Sequence, residues 1–337
     1  MTAEKQNGGG ESTLTVVLAL LVNLAIGVMK LIAGLITGSA AMLSEAAHSA
    51  ADTFTELFLL TALRRSDRPA DRAHPFGYGK ERYFWSLLAA VSIFTSGAVF
   101  SFYEGFSAIF GEPAEQENPV VAYIVLGLAF ALESVSWTQA VRQTRAEAKA
   151  DNRGILAFLR QSDDPTSKTV LFEDTAALIG LLIAFVGILL HQLTGSSLFD
   201  GIASVLIGLL LCGVAYTLGA TNRGLLIGRQ ADPILVRAIG QRLRQAPEVE
   251  AVVDLLTMTT GTDSVLLCAR LDFNDSLGAA DLERACVRID NELRAEFHEL
   301  NEIFLEPVPR TDPDLRAKVL NRYGERIVHH FNTDPTP

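Results

Sequence analysis

Two ionisable residues, His48 and Asp52, lie four positions apart inside the apolar stretch Ala40–Leu63. Successive residues of an α-helix are rotated by about 100°, so this spacing places both side chains on one face, one turn apart. An ionisable side chain in the hydrocarbon of a bilayer costs roughly 2.5–3.5 kcal/mol on insertion scales, and such residues usually line ion paths. Imidazole nitrogen and carboxylate oxygen are also ligands that Zn²⁺ and similar divalent cations accept. The pair therefore predicts a divalent-metal site within the membrane.

The same two residues also fit a simpler role, an ion pair that joins this helix to a neighbour, because buried polar pairs hold transmembrane helices together. Asp174, in a separate apolar stretch, favours the metal site over the ion pair. Glu45 lies three residues before His48 and shares its face, so it is a candidate for the path of metal or protons to the site. Its place near a helix end also fits a solvated side chain. Asn23, in the first apolar stretch, is a second candidate for this path, or else forms an interhelical hydrogen bond.

The elements that must position these residues are predicted to be membrane-spanning helices. The chain has 337 residues, 49% of them hydrophobic, and a mean hydropathy of +0.27. Six apolar stretches approach or exceed the roughly 20 residues that a spanning helix needs. They are Leu14–Ile36, Ala40–Leu63, Phe84–Phe110, Val120–Val141, Val170–Leu193 and Leu198–Ala220. The polar segment Met1–Ser12 has no small-residue cleavage site, so the first stretch is expected to be a retained helix and not a signal peptide.

The basic residues predict the orientation, because Lys and Arg concentrate in cytoplasmic loops. They cluster after the second stretch, at Arg64, Arg65, Arg68, Arg72, Lys80 and Arg82, and after the fourth, at Arg145, Lys149, Arg153, Arg160 and Lys168. The segments Gly111–Pro119 and Thr194–Ser197 carry no Lys or Arg. Both termini are therefore expected in the cytoplasm, and the short tails and basic loops fit a bacterial inner membrane.

The net charge argues against nucleic-acid binding, and the cysteine content argues against a disulfide framework. The net charge of −11 and a pI near 5.1 argue against nucleic acid. The cysteines, Cys212, Cys268 and Cys286, have no metal-ligand spacing, so we expect reduced thiols and no disulfide framework.

Beyond Gly228 the sequence changes to that of a small soluble α+β domain. Helices are predicted at Pro233–Gln245 and Ala279–Phe297, and strands at Val249–Thr259, Ser264–Phe273 and Glu302–Val308. This αββαβ order predicts a compact two-layer, ferredoxin-like fold with the helices on one face of the sheet. The predicted organisation is a cytoplasmic tail at 1–12, a six-helix transmembrane domain at 13–222, the cytoplasmic α+β domain at 229–310 and a loosely ordered tail at 311–337.

These features together resemble the cation diffusion facilitator family of divalent-metal transporters over about residues 12–310. The resemblance rests on the order of the elements and on four motifs: His48 to Asp52, the loop His74 to Arg82, Phe199-Asp200-Gly201, and Thr257-Met258 through Asp272-Phe273. Glu173-Asp174 in the fifth stretch is similar to a zinc-transporter-like branch of the family.

The resemblance implies a transport site with two residues on the second helix and two on the fifth. His48, Asp52 and Asp174 match three of these positions, whereas the fourth is Val170, which cannot ligate a metal. Glu173 points about 100° away from Asp174 on a helix. The fourth ligand is therefore left open between Glu173, a water and another polar group.

The family also often binds metal in the loop after the second helix, through an aspartate and two histidines. Asp71 and His74 match two of these ligands, but Tyr78 replaces the second histidine. Asp71 and His74 are kept as candidate ligands of an accessory site, although the basic surroundings disfavour a cation.

The predicted function is efflux of a divalent cation, foremost Zn²⁺, in exchange for protons, without a prosthetic group. Fe²⁺, Co²⁺ and Mn²⁺ fit the same ligand types. The resemblance also implies a homodimer formed through the C-terminal domain. Two alternatives are a non-transporting regulatory homologue, suggested by Val170, and a membrane metalloenzyme. The apolar stretches contain no HExxH or GxSxG motif, so the chain is not expected to be an enzyme.

Overall fold

The computed structural model describes residues 13–111, 118–150, 154–155 and 165–323. The predicted tail at 1–12, residues 151–153 and 156–164 between the fourth and fifth apolar stretches, and the chain beyond 323 lie outside these residues. The chain forms two compact units. The first contains the chain up to Asp67 and Glu81–Arg223, and the second contains Arg68–Lys80 and the chain from Gly224 onward.

The first unit is built from long helices. They are α1 (Thr13–Thr37), α2 (Ala40–Ser66), α3 (Glu81–Ser92), α4 (Val99–Phe110), α5 (Pro119–Ala150), α6 (Pro165–Thr194) and α7 (Leu198–Ile227). A π-helical segment, Ile93–Ala98, joins α3 to α4, so Glu81–Phe110 is continuously helical. Large apolar side chains such as Phe110 and Tyr216 remain exposed on these helices, which suits surfaces that face lipid.

Within the described residues, five helical segments are long and apolar enough to span a membrane: Leu20–Thr37, Glu81–Phe110, Pro119–Lys149, Thr169–Thr194 and Leu198–Ile227. They correspond to five of the six predicted spans. Helix α2 has 27 residues, which is long enough to span a membrane at about 1.5 Å per residue. It is less apolar than the five segments above and is not among them. The physical reason is its composition, because Glu45, Asp52 and Glu56 interrupt the apolar sequence and Arg64 and Arg65 end it.

Helix α2 lies inside the bundle, packed against α1, α3, α4 and α6. Small residues allow the close approach: a Cβ on Gly34 of α1 would lie 2.8 Å from Leu43, and one on Gly27 would lie 3.2 Å from Ser49. At the N-terminus of α2, Asp200 of α7 accepts hydrogen bonds from the Ser39 hydroxyl (2.8 Å) and the Ala40 amide (2.6 Å). These contacts fix the helix that carries His48 and Asp52.

The second unit has the predicted αββαβ order. It contains α8 (Pro233–Arg244), β1 (Val249–Gly261), β2 (Ser264–Phe273), α9 (Ala279–Glu296), β3 (Leu300–Pro307) and α10 (Pro313–Tyr323). The strand order is β1-β2-β3, with β2 antiparallel to β1 and parallel to β3. Alternate residues of β2, including Val265, Leu267 and Leu271, are buried with apolar residues of α8 and α9, as a period of two requires.

A loosely ordered tail was predicted from residue 311 onward, and this prediction is wrong for helix α10. Asp312 Oδ1 accepts hydrogen bonds from the backbone amides of Asp314 (2.9 Å) and Leu315 (3.0 Å), and Pro313 begins the helix. Val319 is buried, and Arg322 forms a 2.8 Å ion pair with the buried Asp254 of β1. The capping residue and these two contacts explain why the segment is helical.

Candidate metal-binding site

His48 and Asp52 are adjacent on α2, as their spacing predicts. The Nε2 atom of His48 lies 3.6 Å from Oδ1 of Asp52, and their side chains are 2% and 13% exposed. Asp52 Oδ1 has no hydrogen-bond partner among the described residues. An imidazole nitrogen and a carboxylate oxygen therefore face each other in the interior of the bundle.

Glu45 is fully buried, so the solvated position considered from the sequence is wrong. Its Oε2 atom forms a 3.0 Å ion pair with Nζ of Lys30 on α1, whose side chain is 1% exposed. Its other oxygen, Oε1, lies 4.0 Å from Nδ1 of His48. Lys30 was not among the residues predicted to belong to the site, although it is the one basic residue of the first apolar stretch. A single basic residue within an apolar helix predicts a buried acidic partner, because charged residues inside a membrane usually pair with one another.

Asn23 and Glu56 form a second contact between α1 and α2. The Asn23 side-chain amide donates a 2.7 Å hydrogen bond to Oε1 of Glu56, one helical turn beyond Asp52. The interhelical bond considered for Asn23 is therefore present. A role of Asn23 and Glu45 in a proton or metal path stays a prediction.

Asp174 and Glu173 of α6 have different surroundings. Oδ2 of Asp174 accepts a 2.9 Å hydrogen bond from the Ser136 hydroxyl of α5. Glu173 is buried, and its Oε1 has no hydrogen-bond partner in the part of the chain that is described. The carboxylate of Glu173 interacts electrostatically with Asp52, and so does that of Asp174. Glu173 and Asp174 therefore belong with Asp52, Glu56 and Glu133 to one group of interacting carboxyl groups, which we call the acidic region.

The predicted ligands do not form a closed coordination shell. Within residues 13–111, 118–150, 154–155 and 165–323, no three His, Cys, Asp or Glu side chains are grouped closely enough to hold a metal ion. Carboxylates that face one another without a cation repel, and Asp174 is instead paired with Ser136. A metal bound by His48, Asp52 and Asp174 together would therefore require movement of side chains or helices.

The acidic region contains more carboxyl groups than basic partners. Lys30 forms an ion pair with Glu45. Five other carboxyl groups interact with one another. Among the described residues, none of these five forms an ion pair with lysine or arginine. They are Asp52, Glu56, Glu133, Glu173 and Asp174. Ionisation of these buried carboxyl groups needs a counter-charge, which a bound cation would supply.

The accessory candidates Asp71 and His74 lie in the second unit, in the loop Arg68–Lys80. His74 Nδ1 is 3.5 Å from Asp71 Oδ1, and both side chains are about half exposed. A hydrogen bond from the Tyr78 hydroxyl (2.8 Å) and one from the His74 backbone amide (2.7 Å) lower the pKa of Asp71. Because these bonds occupy both carboxylate oxygens, the contacts favour a role for Asp71 in closing the loop. Metal binding there stays a prediction.

The helical part of the chain is similar to proteins of known families. Residues 16–227 match a family profile described as the cation efflux transmembrane domain. The mitochondrial proton-coupled zinc antiporter SLC30A9 of Xenopus laevis is 32% identical over 93% of this chain and 54% of its own length. The chain thus spans about half the length of that relative.

Two bacterial relatives are matched over more of their own length. The manganese efflux system protein MneP of Bacillus subtilis is 24% identical over 87% of this chain and 94% of its own. The cation-efflux pump FieF of Shewanella oneidensis is 28% identical over 75% of this chain and 79% of its own. All three names describe transport proteins.

Proposed function

Because more than half of its length matches the cation efflux transmembrane domain, the chain belongs to the cation efflux family, and we propose that it exports divalent cations, foremost Zn²⁺, in exchange for protons. The resemblance to cation diffusion facilitators is confirmed by this match and by the zinc antiporter relatives. The chain is a multi-pass membrane protein of a transporter family and not an enzyme.

The observation that carries the proposal is the placement of His48 and Asp52. They face each other in a bundle of helices, and the carboxylates of α6 interact with Asp52 across the helix contact. We assign the ion to this region, between α2 and α6, with His48, Asp52 and Asp174 as ligands and Glu173 as the candidate for the fourth. Helix α2 is then the sixth span.

The ligand types fit zinc. Zn²⁺ takes four nitrogen, oxygen or sulfur ligands in a tetrahedron, and two carboxylates offset its double charge. A site without thiolate suits a carrier, which must release its ion as well as bind it. The relatives are named for zinc and for manganese, so Mn²⁺ belongs in any test of selectivity.

Proton exchange follows from the same ligands. Histidine and carboxylate bind metal in their deprotonated forms, so metal binding releases protons and protonation releases metal. An acidic external side would therefore favour metal release there, and a neutral internal side would favour reloading. Rocking of helices about a site near the membrane midplane is a physical route for alternating access, and it would also bring Asp174 towards α2.

We also propose that the second unit is a ferredoxin-like cytoplasmic domain that pairs two copies of the chain. The αββαβ order and the single layer of strands support the fold.

We propose that the protein lies in the bacterial inner membrane, with both termini in the cytoplasm. Because one relative is mitochondrial by name, fractionation of the native host is the test of location.

Transport into proteoliposomes tests the function. Purified full-length chain is reconstituted, and uptake of Zn²⁺, Mn²⁺, Fe²⁺ and Co²⁺ is followed with and without an opposing proton gradient. We expect zinc uptake that rises with the gradient and is lost in Asp52→Asn. Asp67→Asn, at an exposed carboxylate that ends α2, is the matched control and should transport normally. A wild-type chain that moves none of these ions would instead support the regulatory homologue suggested by Val170.

A further inference from the structure

Lys30 and Glu45 form the most deeply buried ion pair of the described helices. Nζ and Oε2 are 3.0 Å apart, and the two side chains are 1% and 0% exposed. A buried ion pair in an apolar environment contributes little net stability, because desolvation of both charges offsets their attraction. Stability therefore does not account for the pair, and its position beside His48 indicates a role at the proposed metal site.

The second oxygen of Glu45 faces His48. Oε1 is 4.0 Å from Nδ1 of the imidazole, which is about 1 Å longer than a hydrogen bond. Neither atom has a hydrogen-bond partner within the described ranges, although both are buried. Buried polar atoms are nearly always paired, so each is the natural partner of the other.

Gly180 of α6 leaves room for this contact. A side chain on Gly180 would collide with Oε1 of Glu45, and its Cβ would lie 3.7 Å from Nδ1 of His48. A glycine at this point of α6 therefore allows the carboxylate to occupy the space beside the imidazole. Three helices, α1, α2 and α6, thus contribute to the surroundings of one ring nitrogen.

We propose that Lys30 and Glu45 are a positioning pair for His48: Lys30 holds one oxygen of Glu45, and the other accepts the Nδ1–H of His48, so that Nε2 is presented to the metal. Neutral imidazole carries one proton, and a partner at one nitrogen determines which nitrogen is free to ligate. Metal-binding histidines commonly have such a carboxylate on the ring nitrogen opposite the metal. This inference rests on the proposed function, because it assigns a task within the same site.

The geometry also argues against Glu45 as a direct metal ligand. One of its oxygens is bound to an ammonium group, and a metal at the other oxygen would lie beside that positive charge. Lys30 thereby keeps the carboxylate of Glu45 out of the ligand set. Glu45 acts on the metal through His48.

Paired substitutions separate positioning from helix attachment. Lys30→Met/Glu45→Met removes both charges and the hydrogen-bond acceptor. Lys30→Met/Glu45→Gln also removes both charges but keeps an amide oxygen as acceptor for Nδ1–H. Zinc affinity is measured on the full-length protein in detergent by titration with Zn²⁺ alone. Binding at the site is taken as the part lost in Asp52→Ala, and the unfolding temperature is recorded for each variant.

We expect the Met/Met variant to bind zinc roughly 10–100-fold more weakly, the usual effect of losing an outer partner of a metal ligand. The Met/Gln variant should bind close to wild type at a similar unfolding temperature. Equal zinc affinity in both variants, whether normal or weakened, would overturn the positioning role. If the Met/Met variant does not fold, Gly180→Ala, which displaces Oε1, should weaken zinc binding, and unchanged binding would overturn the proposal.

Two controls complete the test. Ser44→Ala removes another buried interhelical hydrogen bond of α2, to Ser204 at 2.5 Å, and should leave zinc affinity unchanged. Zinc binding that is equal in wild type and Asp52→Ala would show that the proposed function has failed. Zinc binding that depends on Asp52 but not on the Lys30–Glu45 pair would show that only this inference has failed.

Discussion

Ser136 of α5 donates a 2.9 Å hydrogen bond to Oδ2 of Asp174 on α6, which pairs a predicted metal ligand with a neighbouring helix and not with α2. A metal bound through Oδ2 of Asp174 would replace this bond. The Ser136 hydroxyl therefore competes with a metal for Oδ2 of Asp174.

Removing the competing hydroxyl should strengthen metal binding. A hydrogen bond to a charged group contributes about 1.5–3 kcal/mol, and 1.4 kcal/mol corresponds to a factor of ten. We expect Ser136→Ala to bind Zn²⁺ roughly 10–100-fold more tightly in a titration of the purified protein. Ser134→Ala, which removes a hydroxyl bonded to its own helix at Phe130, is the control. Weaker binding in Ser136→Ala would show that Ser136 supports the site instead.

A carboxylate at position 170 should convert the site into a tighter but slower one. Position 170 is one helical turn before Asp174, on the same face of α6. We expect Val170→Asp to lower the Kd for Zn²⁺ and to reduce the maximal rate of proteoliposome uptake, because release must break another metal bond. Val170→Thr keeps the shape without the charge and should behave as wild type. An unchanged Kd in Val170→Asp would mean that this face of α6 does not reach the ion.

Asp200 should stabilise the bundle by capping α2. Its carboxylate accepts two buried hydrogen bonds, from Ser39 and from the Ala40 amide. We expect Asp200→Ala to cost about 1–3 kcal/mol, seen as a lower unfolding temperature. Asp275→Ala, at an exposed position of the second unit, should leave that temperature unchanged. Equal unfolding temperatures for both variants would contradict the capping role.

The loop Arg68–Lys80 should open in acid. Its hydrogen bonds hold the pKa of Asp71 below the ordinary value of 3.8. A carboxyl group whose folded pKa is lowered contributes stability above its unfolded pKa, and this contribution is lost as the pH falls through the folded pKa. We expect hydrogen exchange at the His74 amide to be slow near neutral pH and, after correction for intrinsic rates, faster below about pH 4. Asp71→Asn should remove this pH dependence; its persistence would assign it to another group.

Local sequence patterns predicted those features that depend on residues close together in the chain. The helical spacing of His48 and Asp52, the apolar spans and the alternating strand β2 belong to this class. Even α10 had a readable local signal, the cap Asp312 followed by Pro313. The burial of Glu45 could not be predicted in this way, because it depends on Lys30 from another helix.

The partners of Asp174 and Asp200 show the same limit. Asp174 was predicted to share a metal with His48 and Asp52, and its hydrogen bond to Ser136, 38 positions earlier in the chain, was not predicted. Asp200 lies in the first turn of α7 yet caps α2, which is about 160 residues away. Helix packing decides these contacts, and the spacing of residues within one helix carries no information about it.

The most direct measurement is the anomalous scattering of zinc in crystals of the full-length protein grown with Zn²⁺. We predict a zinc peak between α2 and α6, with Nε2 of His48 and carboxylate oxygens of Asp52 and Asp174 at about 2.0–2.2 Å. The peak should be absent from crystals of Asp52→Ala. Zinc found only at other positions, such as the loop with Asp71 and His74, would contradict the proposed site.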